Sequence, residues 1–431
     1  MRIPIKCLAA VLVFGSLLQG IIPETGAKKL SAQTPSNPDS NGFVPLFNGK
    51  NLEGWVPVNT HEGTFYVKDS MIVTTGKPTG YMRTEKQYQN FILELEWKHT
   101  NTKEVGNSGL FLWADPLPAL GTPFTRGIEV QVLVNLEKEG QYTSHGDIFS
   151  IWGATCVPDR PHPLGWPRCL PSERRAKGGG EWNHYRIEAN NGRIKLAVNG
   201  KEVGGVSKAS PSKGYIALES EGAECTFRNL KIRELPGDAI DEKEATPLAQ
   251  GDQYLLAHDG LRGFVTKPGT PWSMQDWMLS YRGKKGTGNS EIWSTKSYGN
   301  SAFTAEWRFP ADKDTQGNRK VYLGLRGSNK ALIQLTDAKT GSGGLPLVAG
   351  DLTLPDQVRT SAQPREVADA NPGQWNRLEG SLLGNQLSLK INGKEVIKAL
   401  PIEGILPEGP LGLIASSGPV DFANLFVREW K

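Results

Sequence analysis

Glu129 and Gln131 lie in a segment that otherwise has the pattern of a buried β-strand. In GIEVQVLV (127–134) four apolar residues alternate with them, so the two polar side chains share one face of the predicted strand. A carboxylate can accept and return a proton, and an amide can hydrogen-bond hydroxyl and carbonyl groups. This face of the strand is therefore a candidate for chemistry.

Two other strand patterns and one loop carry side chains that suit the same kind of site. They are Glu96 and Lys98 in FILELEWKH, Asn107 and Trp113 in GNSGLFLW, and His145, Asp147 and Trp152 in TSHGDIFSIWG. If these faces line one concave sheet, the acids and amides can bond sugar hydroxyls and the aromatic rings can stack on sugar faces. The mixture favours an oligosaccharide or glycoside ligand. One chemistry open to it is hydrolysis by two carboxylates, with Glu96 and Glu129 as the pair.

The elements that must position these residues occur twice in the chain. Three segments of the first half match three of the second: 181–203 with 374–396, 90–100 with 300–310, and 214–235 with 409–430. The repeat predicts this organisation: a signal peptide at 1–32, a linker at 33–41, a first domain at 42–235, a linker at 236–251 and a second, divergent domain at 252–431.

Each copy has the pattern of antiparallel β-structure. LAVNGKEV and LKINGKEV place Asn199–Gly200 and Asn392–Gly393 between alternating strands, and Asn-Gly is the pair that a type I′ hairpin turn requires. Helical periodicity is nearly absent. Many short strands at close spacing predict an all-β fold, an antiparallel sandwich or jelly roll in each copy.

Comparison of the two copies distinguishes residues that the fold needs from residues that are candidates for catalysis. Gln131 recurs as Gln334, which favours a hydrogen bond of the scaffold, whereas Glu129 is replaced by Leu332, so the fold does not require this acid. A Glu129 that merely faces solvent remains the structural alternative.

Other candidates also have structural interpretations. Glu96 and Lys98 recur as Glu306 and Arg308, which indicates an ion pair across neighbouring strands. Asn107 and His145 could likewise serve only to order a turn and a loop.

Charge and the N-terminus restrict partners and location. The formal net charge is +4, and most of it comes from the first 32 residues, which argues against a nucleic-acid partner. MRIPIK followed by an apolar run resembles a secretory signal, and no later stretch could span a bilayer. We expect a periplasmic or secreted protein. The pattern carries no signal for an oligomeric state.

The cysteines fit an oxidising compartment. Cys156 and Cys169 flank a proline-rich loop, and we expect a disulfide between them. A zinc site with His162 is less favoured because the spacing does not match known zinc motifs. Cys225 alternates like a strand residue and is expected to be a buried thiol.

The first copy resembles a known family. GFVPLFNGKNLEGW, GNSGLFLW, GIEVQVL, EWNHYRIEANNGRIKLAVNG and CTFRNLKIREL occur in order over 42–235 and are similar to the DUF1080 family of 3-keto-disaccharide hydrolases and 3-keto-glucoside lyase/hydratases. Residues 252–431 resemble the same family more faintly. The resemblance implies a concanavalin-A-like jelly roll and action on sugars oxidised at C3.

Such a substrate changes what catalysis needs. A ketone at C3 acidifies the proton at C2, so a base can remove it and the C1 substituent can leave. We expect Glu129 to be the base, with His145 as alternative base or as acid to the leaving group. Gln131, Asn107 and Lys98 would position hydroxyls or stabilise the enolate.

A bound divalent metal is a minority hypothesis for enolate stabilisation. Its ligands would come from Glu129, His145 or Asp147, but the spacing matches no recognised metal motif, so no cofactor is firmly implied.

Non-enzymatic functions remain open. Jelly rolls of this type also occur in lectins, so the competing hypotheses are a non-catalytic carbohydrate-binding protein and an interaction module at the cell surface. The second copy could bind carbohydrate, pack against the first, or cap its trough.

Overall fold

The computed structural model describes residues 38–101, 103, 105–134, 145–249, 251–283, 289–311 and 319–430. The predicted signal peptide and most of the following linker lie outside these residues, so export stays a prediction. In the part of the chain that the structure describes, no helix is long and apolar enough to cross a membrane.

The first repeat consists of short strands joined by turns. They are β1 (Val44–Pro45), β2 (Trp55–Pro57), β3 (Phe65–Lys68), β4 (Met71–Thr74), β5 (Gly80–Thr84), β6 (Phe91–His99), β7 (Gly106–Ala114), β8 (Gly127–Val134), β9 (Ile148–Ile151), β10 (Thr155–Pro158), β11 (Arg168–Cys169), β12 (Asn183–Asn190), β13 (Arg193–Val198), β14 (Lys201–Ser210), β15 (Tyr215–Ser220) and β16 (Cys225–Glu234). A 3₁₀ turn at Glu242–Glu244 precedes the second repeat.

These strands form two antiparallel sheets. The back sheet has the order β10-β14-β13-β12-β6-β16-β4-β3, with β1 pairing β16. The site sheet has the order β11-β9-β8-β7-β15-β5-β2. Apolar side chains from both sheets form one core, in which Trp97, Val130 and Tyr185 are fully buried. Alternation along each strand leaves a second face of the site sheet that points away from this core.

The second repeat has the same plan with fewer strands and two short helices. Its elements are β17 (Gln253–Tyr254), β18 (Phe264–Val265), β19 (Trp272–Gln275), β20 (Met278–Tyr281), β21 (Ser290–Tyr298), β22 (Ser301–Arg308), β23 (Lys320–Gly324), a 3₁₀ turn (Asn329–Ala331), β24 (Leu332–Leu335), α1 (Pro346–Ala349), α2 (Asp356–Ser361), β25 (Trp375–Leu383), β26 (Gln386–Ile391), β27 (Lys394–Pro401), β28 (Gly409–Ser417) and β29 (Val420–Glu429). Its sheets have the orders β19-β20-β29-β22-β25-β26-β27, with β17 on β29, and β18-β21-β28-β23-β24.

The prediction of an all-β chain of two tandem concanavalin-A-like jelly-roll sandwiches is confirmed. The Asn-Gly turns are confirmed too: Asn199 and Gly200 have φ of 48° and 87°, and Asn392 and Gly393 have φ of 49° and 80°. Positive φ at both central residues is what a type I′ turn requires.

The second repeat packs against the outward face of the site sheet. The described residues of both repeats belong to one compact unit. In it, Tyr254 and Phe426 of the second repeat join Tyr81 and Phe111 of the first in one apolar cluster. The second repeat therefore covers part of the face that carries the candidate site.

Glu306 of the second repeat holds the loop that follows β7. One of its oxygens accepts hydrogen bonds from the backbone N–H of Gly121 (2.8 Å) and from the Asn424 side chain (2.9 Å). The other accepts one from Arg377 Nε (2.8 Å). The predicted ion pair across neighbouring strands is present here between Glu306 and Arg377, and the hydrogen bond from Gly121 to Glu306 joins the two repeats.

Candidate functional site

Two carboxyl groups of the site sheet approach each other over a glycine. Glu129 on β8 and Glu219 on β15 lie on either side of β7, where Gly109 pairs with Gln131. A Cβ atom added at Gly109 would lie 2.8 Å from Glu129 Oε1 and 2.8 Å from Glu219 Oε2. The separation of these oxygens therefore cannot exceed twice that distance. The missing side chain of Gly109 provides the space that they occupy.

Two amides hold a third acid, Glu221, which interacts directly with Glu219. Asn107 donates a short hydrogen bond to Glu221, and Gln131 Nε2 donates to Asn107 Oδ1 at 2.6 Å. Gln131 Nε2 also contacts the Ser108 carbonyl at 3.3 Å. The amides are thus oriented by the acids and by the strand, with Asn107 and Glu221 at the half-buried end of the cluster.

Burial favours the protonated forms of the three acids, and repulsion between carboxylates adds to it for Glu129 and Glu219. Burial, followed by the charge of Glu221, raises the pKa of Glu129 to about 8. Burial, followed by the charges of Glu129 and Glu221, raises the pKa of Glu219 well above its usual range. Burial also raises the pKa of Glu221. The three carboxyl groups therefore titrate as an interacting set, at higher pH than ordinary glutamates.

Arg168 supplies positive charge beside the cluster. Its guanidinium lies 4.0 Å from the ring centroid of Phe149, and Phe149 pairs with Glu129 across the sheet. The guanidinium also donates a hydrogen bond to Asp147 Oδ2 at 3.1 Å. The Arg168 charge opposes the rise in the pKa of Glu129. A cation held between a ring and a carboxylate is a fixed source of positive potential.

His145 lies where the strand pairing of β8 continues beyond β9. Gly146 N–H donates to the Gln131 carbonyl at 3.1 Å, and Gln131 N–H donates to the Asp147 carbonyl at 2.9 Å. Burial, followed by the charge of Arg174, lowers the pKa of His145 to about 4, so its ring is neutral at pH 7. Neither ring nitrogen has a hydrogen-bond partner among the described residues.

The structure thus brings together four of the predicted site residues: Glu129, Gln131, Asn107 and Asp147. His145 lies in the turn before Asp147, and the charge that acts on its ring is that of Arg174.

Trp113 is not among them, and its assignment to substrate binding is wrong. Its φ of 52° accompanies a register shift between β7 and β15, where Ala114 and Phe111 oppose Tyr215 and Ala217. The extra residue of this bulge reverses the alternation. Trp113 therefore lies fully buried in the core and donates from Nε1 to the Gln89 carbonyl.

Glu96 and Lys98 belong to the back sheet, so the prediction that they line the same face as Glu129 is wrong. Glu96 accepts a hydrogen bond from Arg228 Nε at 2.5 Å, on the neighbouring strand β16. Lys98 Nζ lies 4.8 Å from the Trp182 ring centroid. The structural alternative for Glu96 is confirmed, and the two-carboxylate mechanism that paired it with Glu129 is excluded by their different sheets.

Trp152 lies on the same side of the molecule but away from the acids. Phe149 of β9 pairs with Glu129, Ile151 pairs with Gly127, and Trp152 follows beyond that end of the sheet. There it lines a groove between the repeats.

The disulfide prediction is wrong: Cys156 and Cys169 are both free thiols. Cys156 lies on β10 of the back sheet and Cys169 on β11 of the site sheet, each held by its own strand pairing. Cys169 Sγ contacts the Leu170 carbonyl at 3.6 Å. Cys225 is fully buried, as expected.

No group of three or more His, Cys, Asp or Glu side chains within the described ranges is arranged to hold a metal ion.

Three site residues were not found from the sequence: Glu219, Glu221 and Arg168. A signal for the two acids was present, because the second repeat has Ile414 and Ser416 at their positions, as it has Leu332 at that of Glu129. Arg168 had no such signal, since it lies in the loop that only the first repeat contains.

The second repeat fills the equivalent space with apolar groups. Tyr322 pairs with Gln334 where Gly109 pairs with Gln131. The ring of Trp293 lies against Gly324 and Gly412 on the neighbouring strands. The acid cluster is therefore a property of the first repeat.

The chain matches one family model, described as a 3-keto-alpha-glucoside-1,2-lyase-like domain, over residues 42–233 and 256–428. A search of curated protein sequences returns no match.

Solved structures of similar fold each correspond to about one repeat. A Parabacteroides distasonis protein provisionally described as a glycosyl hydrolase is 22% identical, with a TM-score of 0.35, over 46% of this chain and 95% of that one. The carbohydrate-binding module CBM66 from Bacillus subtilis is 14% identical, with a TM-score of 0.31, over 44% and 99%. The VIP36 exoplasmic/lumenal domain is 10% identical, with a TM-score of 0.32, over 48% and 94%. These likenesses carry no conclusion about chemistry.

Proposed function

Because this chain belongs to the 3-keto-alpha-glucoside-1,2-lyase-like domain family, we propose that its first repeat cleaves glycosides that carry a ketone at C3 of the sugar. The observation that carries the proposal is the buried cluster of Glu129, Glu219 and Glu221, which the second repeat replaces with uncharged residues. Buried charges of the same sign oppose folding, and the second repeat folds without these acids. The acids of the first repeat therefore serve function rather than folding.

Glu129 is the base. The C3 ketone acidifies the C2 proton, and the Glu129 carboxylate takes that proton while the C–H electron pair forms an enolate. A carboxyl group with a pKa of about 8 is a far stronger base than an ordinary glutamate, and part of it is ionised at neutral pH. The enolate then expels the C1 substituent with the electron pair of the C1–O bond, and water can add to the resulting double bond.

Glu219 is the acid to the leaving group. Burial and the charges of Glu129 and Glu221 raise its pKa, which favours the protonated form that an acid needs, and its oxygen lies close to Glu129 over Gly109. Two carboxyl groups whose environments differ can divide the acid and base roles in this way. His145, our sequence-based alternative, has a neutral ring at pH 7, and both of its ring nitrogens are buried.

Arg168 stabilises the enolate. Its side chain is 16% exposed, so a substrate oxygen can reach a guanidinium that Phe149 and Asp147 already hold in place. Preorganised positive charge of this kind lowers the barrier to forming an oxyanion.

The test is release of a chromogenic aglycone from 4-nitrophenyl 3-keto-glucoside. We expect release by the wild type and a loss of at least about a hundredfold in Glu129→Gln. Glu188→Gln is the matched control, because it removes an exposed carboxylate from β12 of the back sheet. If the wild-type protein releases no aglycone, the enzymatic proposal is refuted. If Glu129→Gln releases the aglycone at the wild-type rate, Glu129 is not the base.

A non-catalytic carbohydrate-binding function is the alternative. The burial of the acids favours this alternative over catalysis, because Glu129 is only 6% and Glu219 only 2% exposed and a substrate has little access to them. Binding of the 3-keto-glucoside without turnover in the same experiment would select it.

We also propose that the protein is exported through its N-terminal segment. N-terminal sequencing of protein recovered outside the cytoplasm should begin close to residue 33. Recovery of the intact N-terminus would contradict this.

A further inference from the structure

A groove lies between the two repeats, beyond the end of the site sheet that carries Gly127. Its walls are the loop 115–120 of the first repeat, the connecting residues Pro247 and Leu248, and strands β22 and β25 of the second repeat. Its volume is about 560 Å³, within the range of small-molecule sites. It is separate from the acid cluster, none of whose residues lines it.

Trp152 provides an open aromatic surface in this groove. It is 51% exposed, and one side of it stacks on Phe124, with ring centroids 6.4 Å apart and planes at 19°. Its φ is 50°, a left-handed conformation that is strained for a bulky residue. The turn and the stacking on Phe124 restrict the Trp152 side chain before any ligand binds. Binding therefore costs little conformational entropy of this side chain.

The charges that line the groove balance. Three carboxylates and three guanidinium groups are present: Asp115, Asp252, Glu379, Arg126, Arg377 and Arg428. The Asp115–Arg126 pair is bidentate, at 2.8 and 2.9 Å, and both side chains are partly exposed. Glu379 is exposed on the opposite wall. The groove therefore offers donors and acceptors for hydroxyl groups but no net charge to attract an ion.

We propose that this groove binds a neutral oligosaccharide chain, with the Trp152 ring stacked on a sugar face and the Asp115–Arg126 pair and Glu379 bonding hydroxyls. An aromatic platform flanked by fixed polar groups is the chemistry that recognises an uncharged sugar. The site is formed by both repeats, so it gives the second repeat a function in binding. The proposed binding does not depend on the reaction proposed at Glu129, because the groove would bind sugars that carry no ketone.

The test is isothermal titration of the full chain with three neutral glucose hexasaccharides, linked α-1,4, β-1,4 and β-1,3. At least one should bind the wild type, and Trp152→Ala should weaken that binding at least tenfold. Trp430→Ala is the matched control, because Trp430 is 40% exposed and does not line the groove; it should bind like the wild type. Glu129→Gln should also keep wild-type affinity.

Binding of none of the three sugars overturns the proposal, as does wild-type affinity in Trp152→Ala. Loss of binding in Glu129→Gln would also overturn it, because it would place the sugar at the acid cluster. If Trp152→Ala does not fold, Glu379→Ala decides: weaker binding supports the groove and unchanged binding overturns it. Failure of the activity measurement with intact hexasaccharide binding would refute only the proposal at Glu129.

Discussion

Glu129→Gln should make the protein more stable as the pH rises, because it removes a carboxyl group whose ionisation opposes folding. Burial, followed by the charge of Glu221, raises the pKa of Glu129 from 4.5 to about 8. Below pH 4.5 the wild-type side chain is neutral in both the folded and the unfolded protein, as glutamine is at every pH. In acid, therefore, the substitution is expected to change the free energy of unfolding little.

The magnitude follows from linkage. Between pH 4.5 and about 8 the unfolded chain has lost this proton while the folded protein keeps it, so the wild-type free energy of unfolding falls as the pH rises. The slope is about 1.4 kcal/mol per pH unit, which gives an upper limit of roughly 4–5 kcal/mol above pH 8. The substitution also removes a charge that repels Glu219, which acts in the same direction.

The measurement is urea unfolding of wild type and variant at about pH 5, pH 7 and pH 9. The stability difference in favour of Glu129→Gln should grow from near zero to about 2–5 kcal/mol over this range. Glu188→Gln, an exposed carboxylate on the back sheet, should show no such trend. A difference between wild type and Glu129→Gln that stays constant from pH 5 to pH 9 would refute the raised pKa and the reasoning built on it.

Three further predictions concern the same site and its supports. The kcat/KM for a 3-keto-glucoside should rise about tenfold per pH unit below pH 8 and level off above it, because only ionised Glu129 is a base; a fall over that range in a pH–rate profile would contradict this. Gly109→Ala should abolish activity and lower stability by about 1–3 kcal/mol, since its Cβ would press on two buried carboxyl groups; wild-type melting and turnover would show that the space is not needed. Glu306→Ala should cost about 2–3 kcal/mol by leaving Arg377 unpaired, and should speed hydrogen exchange at Gly121, with Glu306→Gln intermediate; exchange that does not change would refute the contact.

The repeated fold and its hairpins could be predicted because they depend on local patterns. Alternation shows that Glu129 and Gln131 share a face, and Asn-Gly at 199–200 encodes a type I′ turn. Neither conclusion needs knowledge of distant parts of the chain.

Which sheet a strand joins is not a local property. The strand of Glu96 and Lys98 alternates as clearly as the strand of Glu129, yet it pairs with β12 and β16 in the back sheet. Alternation also fails at a bulge, where one extra residue moves Trp113 from the predicted face into the core.

Part of the site could have been found by comparing the repeats more completely. Glu129 is a candidate because the second repeat has Leu332 at its position, and Glu219 is a candidate for the same reason, because the second repeat has Ile414 there. Arg168 could not be found in this way, because only folding brings its loop beside Glu129.

The central claim is that Glu129 removes the proton at C2 of a 3-keto sugar. The most direct measurement uses a 3-keto sugar without a leaving group at C1, dissolved in heavy water, and follows the C2 hydrogen by proton NMR. The proposal predicts that the wild-type protein exchanges this hydrogen for deuterium much faster than buffer does, and that Glu129→Gln does not. Exchange by the wild type at the buffer rate, or equal acceleration by Glu129→Gln, would contradict it.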